Sequence, residues 1–177
     1  GMVYTTLYET IKNFGLSIKP QDIEPWHGAN KYEVLDHFLN KETTDREFMS
    51  KRHILRKNFE DNLKQCYFSN KAVSFISPEV PDMFNKMRQY GIHVCLNTGY
   101  PEDIQRAIIY NLRLNTMITG YVASDMVAKG RPAPLMIQRL MSEHNIASPQ
   151  EVIKVGDTPN DILEGRNADC AKVFGVL

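Results

Sequence analysis

Three short polar clusters stand where predicted strands end, and their residue types are those of a phosphoryl-binding site. The clusters are Asn97-Thr98-Gly99, Lys129-Gly130-Arg131-Pro132 and Gly156-Asp157-Thr158-Pro159-Asn160-Asp161. In open parallel sheets, ligands bind at the carboxyl ends of the strands, in the crevice where the strand order reverses. A hydroxyl, a fixed cation and paired carboxylates at such a place are what a phosphoryl group with a magnesium ion requires. The order of the three clusters therefore predicts such a site.

Each cluster also has a simpler structural explanation when it is taken alone. A threonine after a strand, such as Thr98, is usually a helix cap. Asp157 and Asp161, four residues apart, are more often a cap and a surface charge. Only the combination of the three clusters favours a functional site.

The elements that must position these clusters fall into two groups along the chain. Residues 2–68 show helical spacing of apolar side chains and predict an all-helical module. Residues 69–177 alternate short apolar runs with helical patterns, which predicts a doubly wound α/β sheet. We expect the boundary between the modules near residues 69–77. The predicted strands are 92–96, 120–124, 152–155 and 171–176, and the predicted helices between them are 78–90, 101–114, 134–144 and 160–167.

Apolar side chains recur at helical spacing in three stretches of the first module, and we expect them to form its core. They are Val3, Leu7, Ile11 and Phe14, then Val34, Leu35, Phe38 and Leu39, and finally Phe48, Met49, Ile54, Leu55, Phe59 and Leu63.

The composition excludes several classes of function. Apolar residues make up 42% of the chain, and its 21 basic residues balance its 21 acidic ones. No overall field therefore recruits nucleic acid or an anionic membrane. No apolar stretch approaches the roughly 18 residues that span a bilayer. The cysteines, Cys66, Cys95 and Cys170, form no close pair, which favours a reducing compartment. We expect a soluble, cytoplasmic protein.

The three clusters, in this order, resemble the second, third and fourth signature motifs of haloacid-dehalogenase-superfamily hydrolases. The strings LNTGY, ASDMVAKGRPAPLM and IKVGDTPNDILEGRNAD are more specifically similar to phosphonoacetaldehyde hydrolases and their phosphonatase-like relatives. The resemblance implies an α/β fold with a Rossmann-like parallel core and an all-helical cap. It also implies a Mg²⁺-dependent hydrolase of a small phosphonate or phosphate compound.

The resemblance assigns a role to each site residue. Thr98 would hydrogen-bond the phosphoryl group, with Gly99 and the backbone N–H groups that follow it. Arg131 would balance negative charge on the phosphoryl group, and Lys129 is a second candidate for this cation. Asp157 would coordinate Mg²⁺, and Asp161 would complete or orient its ligand sphere.

Lys31 is the remaining catalytic candidate. In phosphonoacetaldehyde hydrolase a cap lysine forms a Schiff base with the substrate aldehyde, and the segment 27–34 is similar to the region that holds it. A lysine at a helix start is more often a solvated surface residue, and catalysis would require a lowered pKa. Related phosphatases do not need this lysine.

The family's first motif, Asp-x-Asp followed by Gly-Thr, does not occur in this sequence. That motif supplies the nucleophile, and it follows a strand that lies between the strands ending at Thr98 and Asp157. We expect the first core strand to be missing, so that another segment fills its slot or the two flanking strands close on each other. We expect the chain as given to be inactive. The explanation we expect is a reading frame that starts at an internal methionine, or a truncated or decayed gene.

Two readings of the function therefore stay open. One is the hydrolase that the resemblance implies, with phosphonoacetaldehyde as the sharpest candidate substrate. The other is a non-catalytic remnant that binds phosphate or a partner protein. Exposed apolar surface on the cap would be compatible with a homodimer.

Overall fold

The computed structural model describes residues 2–68 and 73–176. The first range forms three helices and one 3₁₀ turn, which confirms the expected helical cap. The elements are α1 (Met2–Asn13), the 3₁₀ turn Pro20–Trp26, α2 (Lys31–Glu42) and α3 (Asp45–Phe68). The predicted boundary between the modules includes residues 69–72, which lie outside the described residues, and it stays a prediction.

The cap core forms where α1, α2 and α3 bring their apolar stripes together. One side chain of the second range, Ile104, joins this cluster with no exposed surface, so the cap packs on the α/β part through shared apolar contact. The buried cap side chains are Val3, Leu7, Ile11, Ile23, Ala29, Val34, Leu35, Phe38, Leu39, Leu55, Phe59 and Leu63.

The predicted stripe of α3 is correct only for its second half. Leu55, Phe59 and Leu63 are fully buried, whereas Met49 is 65% exposed and Ile54 is 51% exposed. The buried residues follow each other at intervals of four, so they share one helix face. Met49 and Ile54 lie off that face, and their assignment to the core was wrong.

The second range alternates helices and strands as the sequence predicts. In chain order its elements are α4 (Val80–Gln89), β1 (Cys95–Thr98), α5 (Glu102–Asn111), β2 (Gly120–Ala123), α6 (Leu135–Glu143), β3 (Ile153–Gly156), α7 (Pro159–Asn167) and β4 (Lys172–Gly175). β1 begins three residues later than predicted, because its ladder with β2 starts at the pair Cys95 and Gly120.

The four strands form two separate parallel pairs. β1 pairs with β2, with Thr98 opposite Ala123, and β3 pairs with β4, with Gly156 opposite Gly175. In the described part of the chain, no backbone ladder joins β1 to β3. The doubly wound sheet is thus divided between β1 and β3, where the sequence analysis expects the first core strand to be missing.

Side chains bridge the division between the two pairs. Lys154 of β3 donates from Nζ to Oδ1 of Asn97 on β1 at 2.7 Å. Nδ2 of Asn97 in turn donates to both carboxylate oxygens of Glu164 on α7, at 2.9 Å each. In the described residues, β1 and β3 therefore share no backbone ladder. A cluster of polar side chains connects them instead.

Within residues 2–68 and 73–176, none of the helices has the length and apolar character needed to cross a membrane. The cytoplasmic location stays a prediction.

We expect truncation of Leu55 to Ala to lower the free energy of unfolding by about 2–5 kcal/mol, because it leaves a cavity in the cap core. Met49→Ala on the exposed face of the same helix should change it by no more than about 0.5 kcal/mol. Urea unfolding of both variants provides the measurement. Equal losses would contradict the packing described for α3.

Candidate active site

The loop that leads into α2 lies directly on the three polar clusters of the α/β part. The backbone N–H of Lys31 donates to the carbonyl of Gly99 at 3.0 Å. Nδ2 of Asn160 donates to the carbonyl of His27 at 2.5 Å. The N–H of Gly130 donates to Oε1 of Glu33 at 3.2 Å. Each cluster thus holds one point of the segment 27–33, which comprises this loop and the first turn of α2 and which we call the cap loop.

This seating requires a glycine at position 28. Gly28 has a φ of +81°, and a Cβ there would lie 2.1 Å from Oγ1 of Thr158. Its N–H donates to the hydroxyl of Tyr4 at 2.8 Å. A side chain would therefore both strain the backbone and separate the cap loop from the third cluster.

Lys31 is the first residue of α2, and its side chain is buried rather than solvated. Only 3% of the residue is exposed. Nζ donates to the carbonyl of Ala29 at 2.6 Å and lies 5.2 Å from the ring centre of Tyr4 and 6.0 Å from that of Tyr100. In the described ranges, no carboxylate forms an ion pair with it.

This environment changes the protonation of the amine. Burial, followed by the positive charge of Arg131, lowers the pKa of Lys31 to about 7, and Asp161 opposes the shift. Near neutral pH a large fraction of the amine is thus unprotonated, whereas an ordinary lysine is almost fully charged.

Among the other predicted residues, the first cluster has a local structural role. Oγ1 of Thr98 accepts a hydrogen bond from the N–H of Tyr100 at 3.2 Å. That bond uses the oxygen and leaves the hydroxyl hydrogen available as a donor. Gly99 is buried beneath the cap loop, and Lys129 is exposed. Of the two candidate cations, only Arg131 is held inside the site.

Arg131 belongs to a buried cluster of charged side chains. It is 7% exposed and forms an ion pair with Oδ1 of Asp161, which is 4% exposed. The other carboxylate oxygen, Oδ2, accepts from the N–H of Thr158 at 3.2 Å and from its hydroxyl at 2.5 Å. Burial opposes ionisation of Asp161, but Arg131 and Lys154 outweigh it and lower the pKa of this carboxyl.

Sequence reasoning placed Asn97 in the first polar cluster without giving it a role, and it missed Lys154 and Glu164. Lys154 Nζ lies 3.0 Å from Oδ1 of Asp161 and 2.8 Å from Oε2 of Glu164. Two signals were available in the sequence. Lys154 interrupts an apolar strand, and Glu164 follows Asp161 by three residues on one helix face.

The residues predicted as magnesium ligands fit such a site only in part. Asp157 is exposed at the end of β3, and its carboxylate has the hard oxygen chemistry that Mg²⁺ prefers. Both oxygens of Asp161 are engaged by Thr158 and the two cations. Across residues 2–68 and 73–176, His, Cys, Asp and Glu side chains form no group of three that could hold a metal ion. The metal role of both aspartates stays a prediction.

Together these groups place an amine, a guanidinium and a hydroxyl-bearing loop around one junction between the cap and the α/β part. The charges of Asp157, Arg131 and Asp161 all act on Tyr4, whose pKa burial raises. The electrostatics thus indicate that the cap loop and the ends of the strands share one environment.

The chain belongs to the haloacid dehalogenase-like hydrolase family, whose sequence profile it matches over residues 1–176. This agrees with the fold and with the positions of the three polar clusters.

Curated relatives include several phosphonoacetaldehyde hydrolases. The chain is 37% identical over 98 residues to the one from Latilactobacillus sakei, covering 52% of this chain and 36% of the relative. It is 25% identical over 174 residues to the one from Lactiplantibacillus plantarum, covering 91% and 64%. A phosphoglycolate phosphatase from Vibrio vulnificus is 28% identical over 121 residues, covering 68% and 51%. The chain thus spans about one third to two thirds of the length of these relatives.

Solved structures confirm the fold. A phosphonoacetaldehyde hydrolase-like protein from Oleispira antarctica superposes with a TM-score of 0.75 at 20% identity, covering 99% of this chain and 66% of that chain. A β-phosphoglucomutase from Clostridium difficile has the same TM-score at 15% identity, covering 97% and 78%.

We expect one lysine of the folded protein to titrate near pH 7, because burial and Arg131 disfavour its charged form. NMR of protein labelled with ¹³C at lysine Cε follows each ammonium through its titration. The signal with a midpoint near pH 7 should be absent from Lys31→Met. A wild-type spectrum in which every lysine titrates above about pH 9 would contradict the described environment of Lys31.

Proposed function

We propose that this chain carries the cap and most of the site of a hydrolase that splits a small aldehyde-bearing phosphonate, with phosphonoacetaldehyde as the leading candidate. The observation that carries the proposal is the Lys31 amine. It is buried and paired with a carbonyl rather than a carboxylate, and burial, followed by the charge of Arg131, lowers its pKa to about 7. A solvated surface lysine has none of these properties.

In the proposed reaction, the unprotonated Nζ of Lys31 attacks the aldehyde carbon. Loss of water then leaves a carbon–nitrogen double bond, and its protonated form withdraws electrons from the adjacent carbon. That withdrawal lets the electron pair of the carbon–phosphorus bond remain on carbon, as an enamine, when the phosphoryl group passes to a carboxylate nucleophile, which the Asp-x-Asp motif of the family would supply. Water then hydrolyses the acyl phosphate to release phosphate. The enamine takes up a proton, and a second water hydrolyses the resulting imine to acetaldehyde and the free amine of Lys31. Lys31 thus performs covalent catalysis, which replaces one difficult step by easier ones.

The phosphonate end of the substrate would be held by the α/β part. Arg131 offers a guanidinium, which suits the planar recognition of phosphoryl oxygens. The hydroxyl of Thr98 and the N–H groups after Gly99 would add hydrogen bonds. Mg²⁺ is the metal expected for this family, and Asp157 would hold it. When bound, it would neutralise charge on the phosphoryl oxygens.

The similarity to a phosphoglycolate phosphatase supports a second candidate, a phosphatase that acts on a phosphate ester without Schiff-base chemistry. A third is the non-catalytic binding of phosphate or a partner protein, which would need no Asp-x-Asp motif. The buried Lys31 amine favours the first candidate, because neither alternative uses a nucleophilic lysine.

Trapping of the imine tests the role of Lys31. Phosphonoacetaldehyde followed by borohydride should leave a stable secondary amine on Lys31, located by mass spectrometry of tryptic peptides. Because the neutral amine is the reactive form, the yield should rise as the pH increases through about 7.

Lys31→Met is the matched control, since methionine resembles the buried, uncharged lysine in length and flexibility but forms no Schiff base. Lys57, which is exposed on α3, serves as a comparison for non-specific labelling. Labelling of Lys31 no stronger than that of Lys57 would exclude the aldehyde chemistry and leave the phosphatase as the better candidate.

A second experiment concerns the nucleophile. We expect the 177-residue chain to release no phosphate from phosphonoacetaldehyde or a phosphate ester, since positioning alone gives only part of the rate enhancement. A fused N-terminal segment carrying Asp-x-Asp-Gly-Thr on one strand should restore phosphate release. It should also raise the melting temperature, because the strand can pair with the open edges of β1 and β3.

The control for this fusion replaces both of its aspartates by asparagine. This variant should show the raised melting temperature without phosphate release. Robust turnover by the unextended chain, in a preparation free of contaminating phosphatase, would show that the account of the nucleophile is wrong.

A further inference from the structure

Four charged side chains meet inside the α/β part with almost no contact with solvent. The side chains of Arg131 and Lys154 are each 7% exposed, that of Asp161 is 6% exposed, and Glu164 is fully buried. Two are positive and two are negative, so the cluster is neutral as a whole. Burying four charges is costly unless each one is paired.

Lys154 is fully occupied by this cluster. A lysine ammonium has three N–H donors, and Nζ of Lys154 has three acceptors within 3.0 Å. They are Oδ1 of Asn97 at 2.7 Å, Oε2 of Glu164 at 2.8 Å and Oδ1 of Asp161 at 3.0 Å. Lys154 thus neutralises Glu164 and shares the neutralisation of Asp161.

Arg131 is in the opposite situation. Its Nη1 pairs with Asp161, but within the described ranges its Nε is buried without a hydrogen-bond partner. The nearest carboxylate oxygen, Oε2 of Glu164, is 4.0 Å from Nε, which is beyond hydrogen-bond distance. Lys154 and Asn97 already occupy that oxygen.

A buried donor without a partner is costly, and it is satisfied once an acceptor arrives. We propose that Lys154 is a positioning residue that takes up the carboxylates of Glu164 and Asp161 and so keeps the Nε–H of Arg131 available for an anionic oxygen of the substrate. Asn97 and Glu164 hold Lys154 in place. This inference rests on the proposed function, since it assumes that Arg131 receives the phosphoryl or phosphonyl group.

Local structure explains why Lys154 can reach three acceptors at once. It lies on β3 beneath α7, where position 165 is glycine, and a Cβ at Gly165 would lie 2.9 Å from Cβ of Lys154. Asp161 and Glu164, one helical turn apart, both face β3. The close approach of the helix to the strand thus brings both carboxylates to one ammonium.

The test compares phosphate binding by the wild-type chain and by the double variant Lys154→Met, Glu164→Gln. The double variant removes one charge of each sign, so the net charge of the cluster and of the chain stays the same. Inorganic phosphate is the probe. Calorimetry gives its Kd, and ¹⁵N NMR follows the Nε–H signal of Arg131, assigned by its loss in Arg131→Met.

We expect the wild-type Nε–H signal of Arg131 to shift saturably as phosphate is added. In the double variant Arg131 is free to turn onto Asp161 with both Nε and Nη1, as paired guanidinium and carboxylate groups prefer. Its Kd for phosphate should therefore rise tenfold or more, although thermal unfolding shows a folded protein. The exposed pair Lys57 and Asp61 supplies the control, and Lys57→Met, Asp61→Asn should bind phosphate as the wild type does.

The possible outcomes distinguish the role of Lys154 from the proposed function on which it rests. A folded double variant with the wild-type Kd would overturn the role of Lys154 while leaving the proposed function intact. Phosphate binding by the wild type without a response of the Arg131 Nε–H signal would do the same, and this measurement does not depend on the stability of any variant. Absence of phosphate binding by the wild type would overturn the proposed function, and the inference with it.

Discussion

The buried ion cluster of Arg131, Lys154, Asp161 and Glu164 connects parts of the molecule that share no backbone ladder in the described residues. Asn97 links it to β1, Lys154 belongs to β3, and the two carboxylates belong to α7. Removing one partner from a buried pair typically costs about 3–5 kcal/mol, because the other charge is left uncompensated. The relative position of the two strand pairs therefore depends on electrostatic neutrality more than on sheet hydrogen bonds. The same neutrality fixes the residues on which the proposed chemistry depends.

Neutrality of the cluster also explains how Lys31 can lie beside it. Asp161 is already paired with Arg131 and Lys154, so its charge is largely compensated before Lys31 is considered. Lys31 therefore gains little attraction from Asp161 and is affected mainly by burial and by Arg131, which both lower its pKa. A free carboxylate at this place would instead hold the amine in its charged, unreactive form. The arrangement that stabilises the fold thus also leaves the amine with the lowered pKa that the proposed reaction requires.

The sequence predicted the helical cap, the alternation of strands and helices, and the cluster loops, because these depend on local periodicity and on motif order. It did not predict which side of β3 would be buried. Val152 to Val155 looked like an apolar strand, yet Lys154 is buried while Ile153 is 60% exposed and Val155 is 56% exposed. Alternation along a strand fixes only that neighbours face opposite sides. The carboxylates of α7 decide which side is buried, because they pair with Lys154. Their position over β3 depends on the tertiary fold and cannot be derived from the alternation of residues along the strand.

The burial of Lys31 could not be predicted from the sequence either, because it arises from contacts between the cap and the α/β part. Three hydrogen bonds, to Gly99, from Asn160 and from Gly130, seat the cap loop on the ends of the strands. This seating brings the amine of the cap and the guanidinium of the α/β part into one environment. In the proposed reaction the two groups bind opposite ends of one small molecule, the aldehyde and the phosphonate. A compound with only one of these ends would use only one of the two groups, so the junction itself would discriminate between substrates. Specificity would then depend on how the cap loop is held, and Gly28 and Asn160 would matter to it without contacting the substrate.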